Sequence, residues 1–100
     1  MAATGSTLDM VLDYYREKVE GKARAYAALH LIVTPEYLRR VSAEQPELQV
    51  FALRLDRGLS SPETLAQVPG RAQVERALTD HGYIVPGGGG FGELLNNSWV

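Results

Sequence analysis

Apolar positions near the start of the chain follow a helical period. Apolar residues three, four and seven positions apart predict an amphipathic helix. These positions are Leu8, Val11, Leu12, Tyr15 and Val19. Ser6 or Thr7 is the predicted N-cap, and Asp9 has the spacing for a capping-box-like contact with Ser6. We expect this helix to end at Gly21.

The next segment, residues 25–33, is apolar on both alternations apart from His30. That pattern is typical of a parallel strand covered on two faces, so we expect a central strand here. We interpret His30 as a buried, hydrogen-bonded core residue, and His81 as a turn residue before Gly82. The two histidines do not have the spacing of metal ligands.

A short second helix is predicted directly after this strand. Thr34 is suited to the N-cap and Pro35 to the first helical position. Leu38 and Val41 are expected to face inward, and Pro46 prevents the helix from continuing. Residues 48–55 then give a second strand, so the sequence predicts a βαβ crossover, right-handed by default.

The pattern changes over residues 60–79, which we interpret as an insertion. Ser61, Pro62 and Glu63 predict one helical turn, and Pro69 with Gly70 interrupts it. A further helix would have its apolar side at Val74, Ala77 and Leu78. Residues 83–85 predict a short strand that Pro86 stops. The predicted fold class is therefore α/β with a parallel sheet.

Composition narrows the function classes. The chain has 100 residues, 45% of them hydrophobic and 22% charged, which is typical of one soluble globular domain. A net charge of −2 without a basic run argues against a nucleic-acid partner. The absence of cysteine excludes a disulfide framework and thiolate metal sites. Charges within residues 1–20 and the short apolar segments predict a cytoplasmic protein with no membrane partner.

Contacts between chains are also expected. A chain of this length buries only about two-thirds of its unfolded surface, so its core is small and we expect a homo-oligomer. Tyr14 and Tyr15 are adjacent, so only one of them can face the core, and the other covers an interface or stays exposed. Trp99 is interpreted as a surface or subunit contact.

Two segments are candidates for ligand binding. Small and hydroxyl residues at 3–7 precede the first helix, where backbone N–H groups and the helix dipole converge on an anion. The alternative is an ordinary capped helix start. Gly87, Gly89 and Gly92 match a dinucleotide fingerprint, but no βαβ unit follows, so we reject a dinucleotide site. A glycine loop at a strand end is a place where ligands bind, and a flexible tail is the alternative.

Asp56 is a third candidate, because it lies at the predicted end of the second strand. A carboxylate there can contact a ribose or a metal, but it is more often a turn residue. No nucleophile, histidine and carboxylate can be grouped by linear spacing, so covalent catalysis has no support.

Four segments together resemble the C-terminal half of uracil phosphoribosyltransferase. They are Met-Ala-Ala-Thr-Gly-Ser-Thr at 1–7, Val-Thr-Pro-Glu at 33–36, Leu-Asp-Arg-Gly-Leu at 55–59 and His-Gly-Tyr-Ile-Val-Pro-Gly at 81–87. The resemblance implies a parallel-sheet, Rossmann-like phosphoribosyltransferase fold, incomplete at the N-terminus. Residues 1–100 would be the C-terminal part of a single domain, with the insertion at 60–79.

The resemblance also implies a reaction. Uracil and 5-phosphoribosyl 1-diphosphate would give UMP and diphosphate, with Mg²⁺ held through the substrate diphosphate and no metal ligand from the protein. The phosphoribosyl-diphosphate would contact Met1, Ala2, Ala3, Thr4, Gly5, Ser6, Thr7 and Gly90. Uracil would contact Ile84, Gly89, Gly90 and Phe91. On this basis a Gly5→Asp change is expected to place a carboxylate against the phosphate.

The chain departs from the family pattern at three points. Gly90 stands where the family has an aspartate, and the Asp-Pro that precedes the family's phosphate loop has no counterpart before Met1. The family's N-terminal half has no counterpart either, so we expect a truncated chain that is inactive alone. The alternative function is a non-catalytic nucleotide- or phosphate-binding remnant, or a dimerisation module.

Overall fold

The computed structural model describes residues 1–71 and 74–87 as three helices and a two-stranded sheet. The elements in chain order are α1 (Ser6–Lys18), β1 (Ala27–Val33), α2 (Pro35–Glu44), β2 (Gln49–Leu55) and α3 (Pro62–Leu65). Predictions that involve Gly89, Gly90, Phe91, Gly92 or Trp99 lie outside the described residues.

The two strands are parallel, and α2 connects them. Their register pairs Ala27 with Gln49 and Val33 with Leu55. The predicted α/β class and the strand-helix-strand order are therefore confirmed. The strands begin at Ala27 and Gln49, so each is slightly shorter at its start than the sequence predicted.

Local signals predicted α2 correctly. Thr34 is the N-cap, and its Oγ1 accepts a hydrogen bond from the N–H of Tyr37 at 3.0 Å. Pro35 occupies the first turn, where its missing N–H costs no hydrogen bond. Val41 is buried, and Leu38 packs against the core cluster. That cluster consists of Ala2, Val33, Tyr37 and Val41.

The start of α1 differs from the prediction. Its N-cap is Gly5, in the left-handed region at φ 90°, and not Ser6 or Thr7. Asp9 does not form a capping box, because its carboxylate pairs with Arg40 on α2 at 2.6 Å. The helix ends at Lys18, before the predicted Gly21. The ion pair between Asp9 and Arg40 thus takes the place of the predicted capping contact between Asp9 and Ser6.

Three further sequence predictions are wrong among the described residues. Tyr14 and Tyr15 are both exposed, and their rings contact each other edge-on. No second helix forms around Val74, Ala77 and Leu78. Residues 83–85 form no strand of the sheet, since Ile84 makes only an isolated antiparallel bridge with Leu78.

Side-chain exposure also corrects the prediction that β1 is covered on two faces. Ala28 is buried, but Leu29 and Leu31 on the opposite face are exposed. The predicted turn at Ser61 is confirmed, because Ser61 caps the short helix α3. Within residues 1–71 and 74–87, no helix has both the length and the apolar composition needed to cross a bilayer.

Candidate functional site

The first part of the site is residues 1–7, which comprise the loop before α1 and the first two residues of that helix. The loop begins at the carboxyl end of β1. Ala2 pairs with Val33 in a parallel bridge, and the N–H of Ala2 donates to the carbonyl of Ile32 at 2.9 Å. Ala2 therefore places the start of this segment at the carboxyl end of β1, and the anion-binding role expected from the sequence stays a prediction. We call this segment the phosphate loop.

The carbonyl groups of the phosphate loop are held from α2 and its N-cap. Thr34 Oγ1 donates to the carbonyl of Ala3 at 2.6 Å. Arg40 Nη1 donates to the carbonyl of Thr4 at 3.2 Å and to Ser6 Oγ at 3.3 Å. These contacts hold the loop in place, and they occupy the carbonyl oxygens of Ala3 and Thr4 and the Ser6 hydroxyl as hydrogen-bond acceptors.

Backbone donors of the phosphate loop remain available. Gly5 has no side chain to cap the first turn of α1. Thr4 Oγ1 lies 3.1 Å from Ser6 Oγ and accepts a long bond of 3.4 Å from the N–H of Ser6. The N–H groups of Thr7 and Leu8 have no acceptor within the part of the chain that the structure describes. Uncapped donors at the positive end of a helix dipole form a binding place for an anion.

Electrostatics in the first turn of α1 also favour an anion. Asp9 is the acidic residue of that turn, and a free carboxylate there would repel a phosphate. Its Oδ2 lies 2.6 Å from Arg40 Nη2, so a cation compensates the charge. Thr4, Ser6 and Thr7 are exposed, so a ligand has access to the loop.

A cavity of about 290 Å³ lies beside the phosphate loop, lined by residues 1–5, Thr7, Leu8, Val11 and His30. His30 Nε2 and the Tyr37 hydroxyl share a hydrogen bond of 2.7 Å. Burial, followed by the N-terminal ammonium, lowers the pKa of His30 from 6.5. Burial, followed by Asp9, raises the pKa of Tyr37. Both groups are thus neutral at pH 7. His30 is hydrogen-bonded as predicted, but it is only partly buried and lines the cavity, so the prediction of a buried core residue is wrong.

The lowered pKa of His30 predicts an acid-sensitive fold. Below pH 6.5 the unfolded chain binds a proton that the folded His30 resists, so the stability present above pH 6.5 is lost as the pH falls. We expect a His30→Gln variant to show a flatter decrease in melting temperature between pH 7 and pH 5 than the unmodified chain. His81→Gln is the matched control, because His81 is exposed. An equal flattening in both variants would contradict this assignment.

The second part of the site lies where β2 ends. The N–H of Asp56 donates to the carbonyl of Val33 at 3.0 Å, so Asp56 lies at the carboxyl end of the strands, as the start of the phosphate loop does. Its carboxylate is enclosed, with a side-chain exposure of 0%. Arg54 Nε donates to Oδ1 at 2.5 Å, and Oδ2 has no partner among the described residues. The Asp56 side chain is thus enclosed where β2 ends.

Residues 84–87 pack on this strand end. The N–H of Gly58 donates to the carbonyl of Val85 at 2.8 Å. A Cβ on Gly87 would lie 2.6 Å from Asp56 Oδ2 and 2.5 Å from Ile84 Cγ2, so only glycine fits there. The sequence analysis placed this segment at the end of a strand formed by residues 83–85. That strand does not form, and the segment packs instead beyond the end of β2. Ile84 is buried, and Gly89, Gly90 and Phe91 lie outside the described residues.

Two carboxylates, the buried Glu75 and the partly buried Glu36, bind residues within 60–79, and the sequence analysis did not predict these contacts. Glu75 accepts from Arg57 Nη1 at 3.0 Å and from the N–H of Gly70 at 3.1 Å. Glu36 on α2 accepts from the N–H groups of Ala77 and Leu78. Glu36 lies in the Val-Thr-Pro-Glu segment at 33–36, but nothing in the spacing of the sequence shows that it binds Ala77 and Leu78 or that Glu75 binds Arg57.

The described residues do not form a metal centre. No group of three or more His, Cys, Asp or Glu side chains in ranges 1–71 and 74–87 is arranged to hold a metal ion. The carboxylates closest to the two parts of the site, Asp9 and Asp56, are each paired with an arginine. These residues therefore do not fit a protein-bound Mg²⁺.

A parallel βαβ unit with loop segments at the carboxyl end of its strands is an arrangement in which α/β proteins bind ligands. Comparison with known proteins shows what the chain is similar to. The chain is 33% identical over 93 residues to the uracil phosphoribosyltransferase of Thermococcus kodakarensis, which covers 93% of this chain and 31% of that protein. The enzymes of the same name from Aquifex aeolicus and Acinetobacter baylyi are each 30% identical, over 95% and 98% of this chain.

The chain spans about a third of the length of these relatives, 35% and 36% in the latter two, and matches their C-terminal part. The resemblance to uracil phosphoribosyltransferases is thus confirmed, and the α/β fold is consistent with part of a phosphoribosyltransferase-type fold. No protein-family model matches the chain, and no solved structure matches it.

Proposed function

We propose that this chain forms the 5-phosphate and base-binding part of a uracil phosphoribosyltransferase. The reaction would join uracil to the phosphoribosyl group of 5-phosphoribosyl 1-diphosphate and release UMP and diphosphate. The observation that carries the proposal is the phosphate loop, with uncapped N–H donors at the start of α1 and with its carbonyls engaged by Thr34 and Arg40. The names of the relatives support the substrate class.

In this proposal the 5-phosphate binds to the backbone of residues 3–7. A phosphate needs several converging donors and few acceptors, and the geometry of the loop supplies that combination. The Asp9 carboxylate is neutralised by Arg40 and does not oppose the ligand. Met1 and Ala2, at the start of the loop, line the 290 Å³ cavity beside it.

Uracil is assigned to the segment that begins at Ile84. Ile84 and Gly89 offer main-chain groups to the edge of the base, with Gly90 and Phe91 beside it. A small planar ring with donors and acceptors along one edge is recognised well by backbone that can approach closely. The close packing of Gly87 against Asp56 supports this uracil-binding role, since it holds the start of the segment against the residue that follows β2.

The chemistry that we propose depends on positioning. A bond forms from N1 of uracil to C1 of the ribose, while the bond from C1 to the diphosphate oxygen breaks and the diphosphate leaves with the electron pair. The ring nitrogen loses its proton to solvent or to a base outside this chain. Orientation and stabilisation of the leaving diphosphate lower the barrier, so no side-chain nucleophile is required. In this proposal Mg²⁺ is held through the substrate diphosphate.

A charge placed on the phosphate loop tests the proposal. Thr7 is exposed and lies in the first turn of α1, so an aspartate there interacts favourably with the helix dipole and leaves the fold intact. The same carboxylate repels a phosphate. We therefore expect Thr7→Asp to keep or raise the melting temperature while the affinity for ribose 5-phosphate falls by about tenfold or more.

Calorimetric titration of ribose 5-phosphate into the 100-residue chain measures this effect, with ribose as the ligand that lacks the phosphate. Thr7→Asn is the matched control, because it has the shape of aspartate without the charge, and we expect it to retain affinity. If Thr7→Asp binds ribose 5-phosphate as tightly as Thr7→Asn, the phosphate loop is not the 5-phosphate site.

A further inference from the structure

A second cavity lies at the amino ends of the two strands. Its volume is about 580 Å³, and its lining includes Arg16, Lys22, Arg24, Tyr26 and Glu47. Tyr26 directly precedes β1, and Glu47 lies two residues before β2. The cavity is therefore bounded by α1, by the loop that joins α1 to β1, and by the residues that lead into β2. We call it the basic cavity.

Unpaired positive charge is the main feature of the basic cavity. Arg16, Lys22 and Arg24 are exposed, and none of them forms an ion pair with a carboxylate in residues 1–71 or 74–87. Glu47 lines the same cavity without pairing with any of the three. The whole chain has a net charge of −2, so this local excess of cations runs against the overall charge of the protein.

Two contacts orient Arg16 in the cavity wall. Its Nη2 donates to Oε1 of Gln45 at 2.9 Å, and its Cζ lies 5.6 Å from the centre of the Tyr26 ring. A guanidinium over an aromatic ring is attracted by the electrons of the ring face. The other N–H donors of the guanidinium remain available to a ligand, and they are held in a fixed planar arrangement that suits oxyanions.

The loop between α1 and β1 adds backbone donors to the same cavity. The N–H groups of Lys22, Ala23 and Arg24 have no acceptor in the part of the chain that the structure describes. All three residues line the cavity. Cationic side chains and free backbone amides together form charge-assisted hydrogen bonds to oxyanions.

The arrangement of the cations favours a ligand with several anionic groups. Arg16 belongs to α1, whereas Lys22 and Arg24 belong to the loop, so a ligand that pairs with all three needs charge on more than one group. A molecule with one phosphate, such as ribose 5-phosphate, leaves part of the positive charge unmatched. Because a single exposed ion pair contributes little, we expect such a molecule not to bind here detectably.

The basic cavity is separate from the phosphate loop. Each strand has seven residues, so its two ends are about 20 Å apart. The phosphate loop begins at the carboxyl end of β1, and the basic cavity lies at the amino end. A ligand in the basic cavity therefore does not overlap with a ligand on the phosphate loop.

We propose that the basic cavity is a second binding site, and that it takes a small molecule with several oxyanion groups, either an oligophosphate or a polycarboxylate. Arg16, Lys22 and Arg24 pair with the oxyanions, and the free N–H groups of the loop bind the remaining oxygens. Glu47 accepts a hydrogen bond from a hydroxyl group of the ligand or from bound water. This site goes beyond the proposed function and does not depend on it.

Calorimetric titration with inorganic tripolyphosphate and with citrate tests the proposal. The protein is the Thr7→Asp variant of the 100-residue chain, because the added carboxylate repels anions from the phosphate loop. We expect one or both probes to bind with a single-site isotherm, and raised ionic strength to weaken the binding. Binding of tripolyphosphate alone identifies an oligophosphate ligand, and binding of citrate alone identifies a polycarboxylate.

A double substitution in the same background assigns the binding to the cavity. Lys22→Gln together with Arg24→Gln removes two cations whose side chains have no partner among the described residues, so we expect an unchanged melting temperature. The affinity for the probe should fall by about tenfold or more. Lys18→Gln together with Arg76→Gln is the matched control, since it removes the same charge from exposed positions outside the cavity. We expect the control to change the affinity by less than about twofold.

Three results would overturn the second site. They are no binding of either probe, binding that the Lys22 and Arg24 double variant retains in full, and an equal loss of affinity in the Lys18 and Arg76 control. Each of these results leaves the 5-phosphate site standing, because ribose 5-phosphate titration tests that site at the other end of the strands.

Discussion

Replacement of Glu75 by alanine is expected to destabilise the protein by about 3–5 kcal/mol, because it leaves the largely enclosed Arg57 guanidinium without its carboxylate partner. Glu75 is 2% exposed, and its carboxylate accepts from Arg57 Nη1 at 3.0 Å and from the N–H of Gly70 at 3.1 Å. Both donors lose an acceptor in the variant. Urea unfolding measures the change in the free energy of unfolding.

The control for this prediction is Glu63→Ala. Glu63 is an exposed carboxylate in the first turn of α3, and its loss is expected to cost less than about 1 kcal/mol. If the two variants lose the same free energy of unfolding, the buried pair does not hold the segment.

The same substitution is expected to affect residues 84–87 as well. The N–H of Val85 donates to the carbonyl of Ala77 at 2.8 Å, and Leu59 donates to the carbonyl of Arg76 at 3.0 Å. Glu75 lies directly before this pair of residues. Residues 60–79 thus act as a support for residues 84–87, which the interpretation as an insertion did not include. We expect faster amide exchange at Val85 in Glu75→Ala than in Glu63→Ala.

Local signals explain the elements that the sequence predicted well. Thr34 and Pro35 define the start of α2 by chemistry within one turn, and the structure keeps both roles. The two strands are identified by short apolar segments on either side of that helix. Such features need no information about distant residues, so they can be derived from the sequence alone.

Distant contacts explain the failures. Helical spacing at Val74, Ala77 and Leu78 predicted a helix, but Glu36 on α2 binds the N–H groups of Ala77 and Leu78 and holds the segment extended. Ser6 and Thr7 were good local caps, yet Arg40 draws the loop into another geometry, with Gly5 as N-cap. In the site, the anion-binding role of residues 3–7 stays a prediction from their hydroxyl and glycine content, whereas the burial of Asp56 against Gly87 could be found only from the fold.

A comparison of Gly5 with Gly21 separates backbone strain from the needs of the site. Both glycines have a positive φ, 90° and 87°, so alanine at either position is strained by about 1–2 kcal/mol. A Cβ on Gly21 meets nothing within 4 Å. A Cβ on Gly5 would lie 3.0 Å from Cδ2 of Tyr37, whose ring is completely buried and cannot move away freely.

We therefore expect Gly5→Ala to cost about 2–4 kcal/mol, because crowding against Tyr37 adds to the strain, whereas Gly21→Ala costs only the strain. Gly5→Ala should also abolish detectable binding of ribose 5-phosphate, and Gly21→Ala should leave it unchanged. Since the Cβ of residue 5 points at Tyr37, an aspartate at this position would disturb the fold before its charge reached a phosphate, which is why the charge test uses Thr7. Thermal unfolding and calorimetric titration of the two alanine variants measure both effects. Equal losses of stability would show that Tyr37 does not restrict residue 5, and retained binding in Gly5→Ala would show that the left-handed turn is not needed to hold the 5-phosphate.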